Sequence, residues 1–442
     1  MICLEDKKIH FIGVGGVGVN ALARFAAEHG AVVSGSDAKF NSLCKILKDS
    51  GADIREGVHP EIVDSVDEVV YSSAIKSDHP ELVRARERGI PVFERQQFLA
   101  DIASGFQTVV GIAGTHGKTT TTSMLAHILA SVNKSFVAMI GGESVDFGNY
   151  VNNSKGLNEI FAVEACEYKR NFLTLKPTVA LVTNVECDHP DCYRDLQSVR
   201  DAFDEYLEGA PNKIYQNGER SADRWEIVSQ SEKYRLTYDV ENKGDICRFY
   251  FDGIFAGNID LKEGGDYNLI NASFAVVAAH TLGVNIKDSL SALKTFKGVK
   301  RRFERAADIN GVPAYFDFAH HPTEIKCVLK RAAKMGKILA VFQPHTYSRT
   351  KAYFDDFAEV LGTDANIGTL VIMPTYAARE YESDGCGSDA LAREIIKRFG
   401  KKDTYTPSDA QSAIEFVKKA AKSHSVVMFI GAGDIYDLRD RI

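Results

Sequence analysis

Residues Val109–Thr122 read VVGIAGTHGKTTTT. An apolar run fit for a buried strand meets two glycines, then a Lys-Thr pair that opens a helical stretch. Backbone N–H groups of such a loop cradle phosphate oxygens, a lysine meets the outer phosphates, and a threonine hydroxyl can ligate Mg²⁺. The usual G-x-x-x-x-G-K spacing is not kept, because Ile112 stands at the first glycine position and Gly111 falls one residue early. The order of strand, glycines, GKTTTT and helix is kept. This predicts an α/β domain with a triphosphate loop at the end of a central strand.

The chain also opens on a glycine-rich junction, IHFIGVGGVGVNALA, from Ile9 to Ala23. Gly13, Gly15, Gly16 and Gly18 lie between a strand and a helix, where a diphosphate can approach the backbone and the helix N-terminus. Asp37 follows the next strand, where dinucleotide folds hold a ribose hydroxyl. The motif leaves the nucleotide undetermined, and the glycines alone also suit a tight helix–strand crossing. Two loops of different design in one chain imply two different anionic guests: a nucleotide conjugate at the first and ATP at the second.

Strand and helix patterns alternate along the rest. KIHFIGV, AVVSGSD, EVVYSSA and PVFE read as strands, with helices over Val17–His29, Asn41–Ser50 and Pro80–Arg88. TVVGIAG, SFVAMIG, IFAVEAC and TVALVTN follow as near-continuous apolar runs, as in strands covered on both faces. Residues 213–262 are hairpin-like, and NLINASFAVVAAHTLG is a long helix. A third alternation begins near 297. The predicted architecture is three consecutive α/β domains: Rossmann-like over 1–105, P-loop-type ATPase over 106–297, and Rossmann-like over 298–442.

With 45% apolar and 26% charged residues the chain can bury ordinary cores. A net charge of -7 gives no basic footprint for nucleic acid. The eight cysteines are scattered without a C-x-x-C pair and read as reduced thiols. MICLEDKK lacks an apolar signal core, and no stretch approaches a membrane span. A cytoplasmic protein is expected.

Seven blocks then carry a resemblance: GTHGKTTT, EACEYKRNFL, TNVECDHPDCY, YNLINASFA, GVKRRFER, DFAHHPTEI and FQPHTYSRT. In this order they resemble the Mur ligases of bacterial cell-wall synthesis, across nearly the whole chain. The double histidine and the glycine-rich start are similar to the branch that joins L-alanine to UDP-N-acetylmuramate. The resemblance implies that ATP phosphorylates the lactyl carboxylate and that the amine of L-alanine displaces phosphate from the acyl phosphate.

It also implies roles. Gly15, Gly16, Val17, Gly18, Ser36, Asp37, Ser72 and Ser73 would hold the UDP-sugar. Gly114, Thr115, His116, Gly117, Lys118, Thr119 and Thr120 would form the ATP loop, with Lys118 neutralising the terminal phosphates. Thr119, Glu164 and His189 would hold the metal, Mg²⁺ with Mn²⁺ as a substitute, since imidazole is an uncommon magnesium ligand. Asn268 and Asn271, three apart on one helix face, would read adenine or else cap the helix. Arg302 and Asp317 would reach ATP phosphate and ribose from the third domain. His345 and Arg349 would face the amino acid, the arginine gripping its carboxylate. His320 and His321 either line the same cleft or serve structure. Many relatives have a second arginine where Thr346 stands, which leaves the alanine site least defined. No general base is assigned. The stretch 195–208 has no lysine, so no carbamylated lysine is expected there.

Three rival readings follow from the same residues. One is a murein peptide ligase that adds a recycled tripeptide to the same donor. Another is an NAD-dependent oxidoreductase built on the first loop, which leaves GTHGKTTTT without a purpose. The third is a non-catalytic nucleotide sensor. A monomer or a homodimer fits equally.

Overall fold

The computed structural model describes residues 3–154, 159–217, 224–230, 235–243, 246–262, 265–378, 380–381, 386–401 and 403–442. Three sheets carry the chain, with five, ten and six strands. The chain divides into two compact units, Met1–Glu186 with Leu196–Gly298, and Cys187–Asp195 with Val299–Ile442. The boundary expected after residue 297 falls beside Gly298. The one expected after 105 lies inside the first unit.

In the first sheet all strands are parallel. Lys8–Ile12 is central, Val32–Asp37 and Asp53–Glu56 lie to one side, and Glu68–Tyr71 and Val92–Glu94 to the other. The chain reverses its direction of winding at Lys8–Ile12, so the glycine loop that follows sits at a topological switch point, where open α/β sheets bind ligands. The helices Val17–Glu28, Ser42–Asp49 and Pro80–Glu87 fall within one or two residues of their predicted ends. The strand Asp53–Glu56 and the helix Arg95–Ala103 were not predicted. The helix has a legible start, a capping box between Glu94 and Gln97.

The second sheet is parallel at its centre: Asn212–Asn217, Val179–Val182, Thr108–Ala113, Ile160–Glu164 and Phe136–Ser144, in that spatial order. The hairpin-like region is an antiparallel run that extends this same sheet through Arg224–Gln230, Arg235–Lys243, Ile246–Phe251 and Ile254–Ile259. The opposite edge gains Gly148–Asn153, an antiparallel strand whose Gly-Asn-rich sequence gave no strand signal. Helix Lys118–Ser131 packs against helix Asp266–Thr281, whose residues are buried almost all round, as expected for a helix inside a core.

Asn149 joins the first two sheets. Its amide donates to Val17 O at 2.9 Å and to Asn20 Oδ1 at 3.1 Å, while Arg24 donates to Asn149 Oδ1 at 3.3 Å. Asn20 in turn donates to Val14 O at 3.2 Å, so the glycine loop is tied to the second sheet through two amides.

The second unit holds the third sheet: Ala314–Asp317, Val426–Ile430, Ile338–Phe342, Ile367–Ile372 and Thr404–Tyr405 in parallel, with Glu304–Arg305 antiparallel at one edge. Apolar clusters cover both its faces. No described helix is long and apolar enough to cross a membrane.

Candidate active site

The glycine loop at the switch point is organised from below. Gly13 N and Val14 N donate to Ser36 O at 2.8 and 3.1 Å. Gly15 N donates to Asp37 Oδ2 at 2.8 Å, and Asn41 Nδ2 to Gly15 O at 2.9 Å. A side chain at Gly15 would meet both partners at 2.9 Å, so the residue must stay bare. Asp37, expected on a ribose, therefore braces the loop. Ser36 is 1% exposed, and its hydroxyl donates to Glu81 Oε2 at 2.7 Å rather than reaching outward. Ser72 lies against Gly13, and its amide donates to Ile12 O at 3.1 Å.

Beneath the loop Glu81 and His10 are wholly buried. Glu81 Oε1 accepts the His59 amide at 2.6 Å, and His10 Nε2 lies 3.4 Å from Glu81 Oε2. Burial alone would favour the neutral acid. Hydrogen bonds from His10, Ser36 and the His59 amide outweigh it and hold the carboxyl below its ordinary range.

The second loop, Gly114–Gly117, is cross-braced by the segment after Val179–Val182. His116 N donates to Asn184 Oδ1 and Asn184 Nδ2 to His116 O, both at 2.9 Å, while Thr183 Oγ1 donates to His116 O at 2.6 Å. Glu186 N donates to Thr115 Oγ1 at 2.9 Å. Gly117 has φ +87°, and a Cβ there would lie 2.2 Å from Asn271 Oδ1, which places the predicted asparagine against the loop. Asn268 is half-buried on the same helix.

Lys118 opens the helix but turns back. Its Nζ donates to Gly114 O, to Thr115 O at 3.1 Å and to Glu167 Oε1 at 2.9 Å. Burial opposes the ammonium, but the Glu167 carboxylate outweighs it and the Lys118 pKa stands above its ordinary value. Thr119 Oγ1 donates to Glu164 Oε2 at 3.2 Å, and Glu164 Oε1 accepts the Gly141 amide. Thr119 and Glu164 thus form a pair of hard oxygen donors beside Lys118, the donor type magnesium takes. A cavity of 490 Å³ adjoins the loop, lined by Thr183, Asn184, Arg200, Asp204, Tyr267 and Asn271. Its size suits a nucleoside.

His189, Arg302, Asp317, His320, His321, His345 and Arg349 lie in the second unit. His189 is there, with φ +54° and its amide on Asp188 Oδ1 at 2.7 Å. Arg349 Nη1 lies 2.8 Å from Asp188 Oδ1, with both side chains about a tenth exposed. Burial alone would raise the Asp188 pKa, but Arg349 and then His189 bring it down to about 2. Asp317, expected on the ATP ribose, accepts the Phe303 and Ala319 amides, both at 2.8 Å, and burial lifts its pKa to about 6. Arg302 lies beside Glu324 at 3.8 Å and over the Phe318 ring. His320 and His345 have their rings 5.7 Å apart, and burial brings their pKa values down to about 3 and about 4. His321 caps helix Pro322–Ala333, accepting the Thr323 amide at 3.3 Å. Thr346 adopts φ +63° and caps helix Tyr347–Ala352.

Four partners went unnoticed in the sequence: Glu167 for Lys118, Asn184 for the loop, Asp188 for Arg349, and Glu81 for Ser36. The first three stand inside the blocks that carried the resemblance, each within five residues of one that was chosen.

Models of the Mur ligase family match along the chain: its catalytic domain over 8–107, its middle domain over 112–279 and its glutamate ligase domain over 301–433. The chain belongs to the Mur ligase family. Among curated Mur ligases it is 37% identical to the UDP-N-acetylmuramate–L-alanine ligase of Clostridium beijerinckii, over 98% of this chain and 96% of the relative. It is 34% identical to the ligase of the same name from Caldanaerobacter subterraneus, over 98% and 97%. Among solved Mur ligases, the UDP-N-acetylmuramate–alanine ligase of Thermotoga maritima superposes with a TM-score of 0.75 at 25% identity, covering 98% of each chain. A murein peptide ligase from Psychrobacter arcticus shares the fold with a TM-score of 0.67 at 21% identity.

Proposed function

We propose that the protein is an ATP-dependent ligase that joins L-alanine to the lactyl carboxylate of UDP-N-acetylmuramate in peptidoglycan synthesis. One observation carries this reading. Two anion cradles of different design stand in one compact unit, and the second has Lys118, Thr119 and Glu164 gathered at its mouth. Curated relatives with that activity match along almost the whole chain, which supports the acceptor assignment.

In the first step a lactyl carboxylate oxygen attacks the γ-phosphorus of ATP, the bond to the β-phosphate oxygen breaks, and ADP leaves. In the second step the alanine nitrogen attacks the acyl carbon, phosphate departs with the electron pair of the C–O bond, and the amine gives up a proton. A free carboxylate is a poor electrophile, and phosphorylation supplies the leaving group. What remains for the protein is positioning and charge neutralisation. Lys118 turns from Glu167 to the terminal phosphates. The loop amides of Gly114–Gly117 hold the triphosphate end, Thr119 and Glu164 offer oxygen ligands for the metal beside it, and Asn268 and Asn271 take the adenine. Thr119, Glu164 and His189 would hold a divalent cation, Mg²⁺ or Mn²⁺, which would supply further positive charge for the phosphoryl transfer. The Gly15–Gly18 loop with Ser72 and Ser73 takes the diphosphate of the donor, with Asp37 and Ser36 keeping it in shape. Arg302 and Asp317 serve ATP from the second unit. His320, His345 and Arg349 serve the amino acid. Three domains, 1–105, 106–297 and 298–442, divide these tasks, and the enzyme works in the cytoplasm.

Phosphate release with UDP-N-acetylmuramate and ATP tests the reading. L-alanine should support turnover and a free tripeptide should not. Turnover with the tripeptide alone would make the protein a peptide-recycling ligase instead.

A further inference from the structure

Arg95 belongs to none of the motifs above. It is the first residue of helix Arg95–Ala103 and is half-buried. A Cβ at Gly18 would lie 2.8 Å from Arg95 Nη1 and 3.2 Å from its Cδ, so the guanidinium lies on the first turn of the helix that follows the glycine loop. The other side of Arg95 faces the second cradle. It lines a cavity of 30 Å³ with Gly18, Gly141 and Glu164, and one of 10 Å³ with Glu164, Cys166 and Asn171. Among the described residues no carboxylate lies within ion-pair distance of the Arg95 guanidinium, and its side chain makes no hydrogen bond.

This absence of a partner is the informative point. A half-buried guanidinium presents five donors in a fixed fork and does not lose its charge, and here, with no protein acceptor and its nitrogens open to solvent, those donors are available to an incoming anion. The structure has carboxylates to spare nearby, yet Glu164 is turned to Thr119 and Gly141, and Glu167 to Lys118. The fork is left for an anion from outside, and the surface it covers is the Gly18 end of the switch-point loop.

We propose that Arg95 binds the diphosphate of the donor nucleotide sugar, closing over the Gly15–Gly18 loop from the side that faces Glu164. The proposal rests on the function assigned above, which supplies the donor. It adds a bidentate cation to a loop otherwise made of backbone amides. A bare Gly18 leaves the guanidinium its place, since a Cβ there would press on it at 2.8 Å.

The test is calorimetric binding of two ligands to the full chain, as wild type, Arg95→Met and Arg95→Lys. UDP-N-acetylmuramate has the diphosphate and the lactyl carboxylate, whereas UDP-N-acetylglucosamine has the diphosphate alone. ATP affinity, measured on the same samples, reports the integrity of the unit. Arg95→Met should weaken both sugars by at least about tenfold and leave ATP affinity in place, with Arg95→Lys intermediate because it keeps the charge and loses the fork. In turnover the KM for the donor should rise with kcat little changed, as for uniform binding lost. Weakening confined to the carboxylate-bearing sugar would overturn the diphosphate assignment. So would unchanged affinity for both sugars, or a parallel loss of ATP affinity. If the wild type bound neither sugar, the functional reading itself would fall and this proposal with it.

Discussion

Ser36 donates its hydroxyl to Glu81 over 2.7 Å, and the accepting carboxylate is wholly enclosed. The Ser36 carbonyl in turn receives the Gly13 and Val14 amides. A buried charge therefore sets the floor of the first anion cradle without being able to touch its guest. Glu81→Ala should cost about 3 kcal/mol, the scale for breaking a buried polar network, because His10, Ser36 and the His59 amide lose their common acceptor. Donor affinity should fall while ATP affinity holds. Thermal melts with paired titrations check it, and equal losses for both ligands would refute a local role.

Lys118→Ala should reduce phosphate release by about a thousandfold, the scale for removing one preorganised charge at a transition state. UDP-N-acetylmuramate should still bind. The comparison is a phosphate-release rate beside a donor titration, and turnover within tenfold of wild type would remove Lys118 from its role.

Glu164→Gln keeps an acceptor for the Gly141 amide and removes the charge next to Thr119. The Mg²⁺ concentration for half-maximal turnover should rise at least about tenfold, with donor affinity unchanged. Magnesium titrations of wild type and variant decide, and superimposable curves would place the metal elsewhere.

The pH response of the second unit depends on several groups of shifted pKa, His320, His345 and Asp317 foremost. His320 and His345 are neutral when folded down to about 3 and about 4, below their ordinary 6.5, so the unfolded chain takes protons first as pH falls. Each removes about 1.4 kcal/mol per pH unit below 6.5. Asp317 has the opposite sign. Its folded pKa is about 6 against 3.8, so it returns stability at the same slope as pH falls from 6 to 3.8. Among these three the net loss between pH 6 and 4 is that of one histidine, and His424, whose pKa burial also lowers, adds to it. His345→Gln should flatten the response in that window, as read from hydrogen exchange of the Ile338–Phe342 amides. Asp188, folded pKa about 2, adds its loss only as pH falls from 3.8.

Local patterns in the chain were enough to foresee the parallel sheets and both glycine loops. Near-continuous apolar runs such as Phe161–Val163 and Val179–Val182 fit strands buried on both faces, and glycines mark where the backbone approaches something closely. Gly148–Asn153 was hidden because an edge strand borrows its stability from pairing rather than from its own residues. The placement of Lys118 and Thr119 at the start of the helix after the loop was legible from their neighbours in sequence. The site was obscure where the partner comes from far along the chain. Nothing near Ser36 points to Glu81, and nothing near residue 95 announces that its guanidinium will lie on Gly18.

The Lys118–Glu167 contact bears on the hazard of the proposed intermediate. An acyl phosphate is an acylating reagent, and a neutral amine beside it would be modified irreversibly. While it rests on Glu167, with its proton affinity raised, Lys118 keeps its proton and offers no lone pair for acylation.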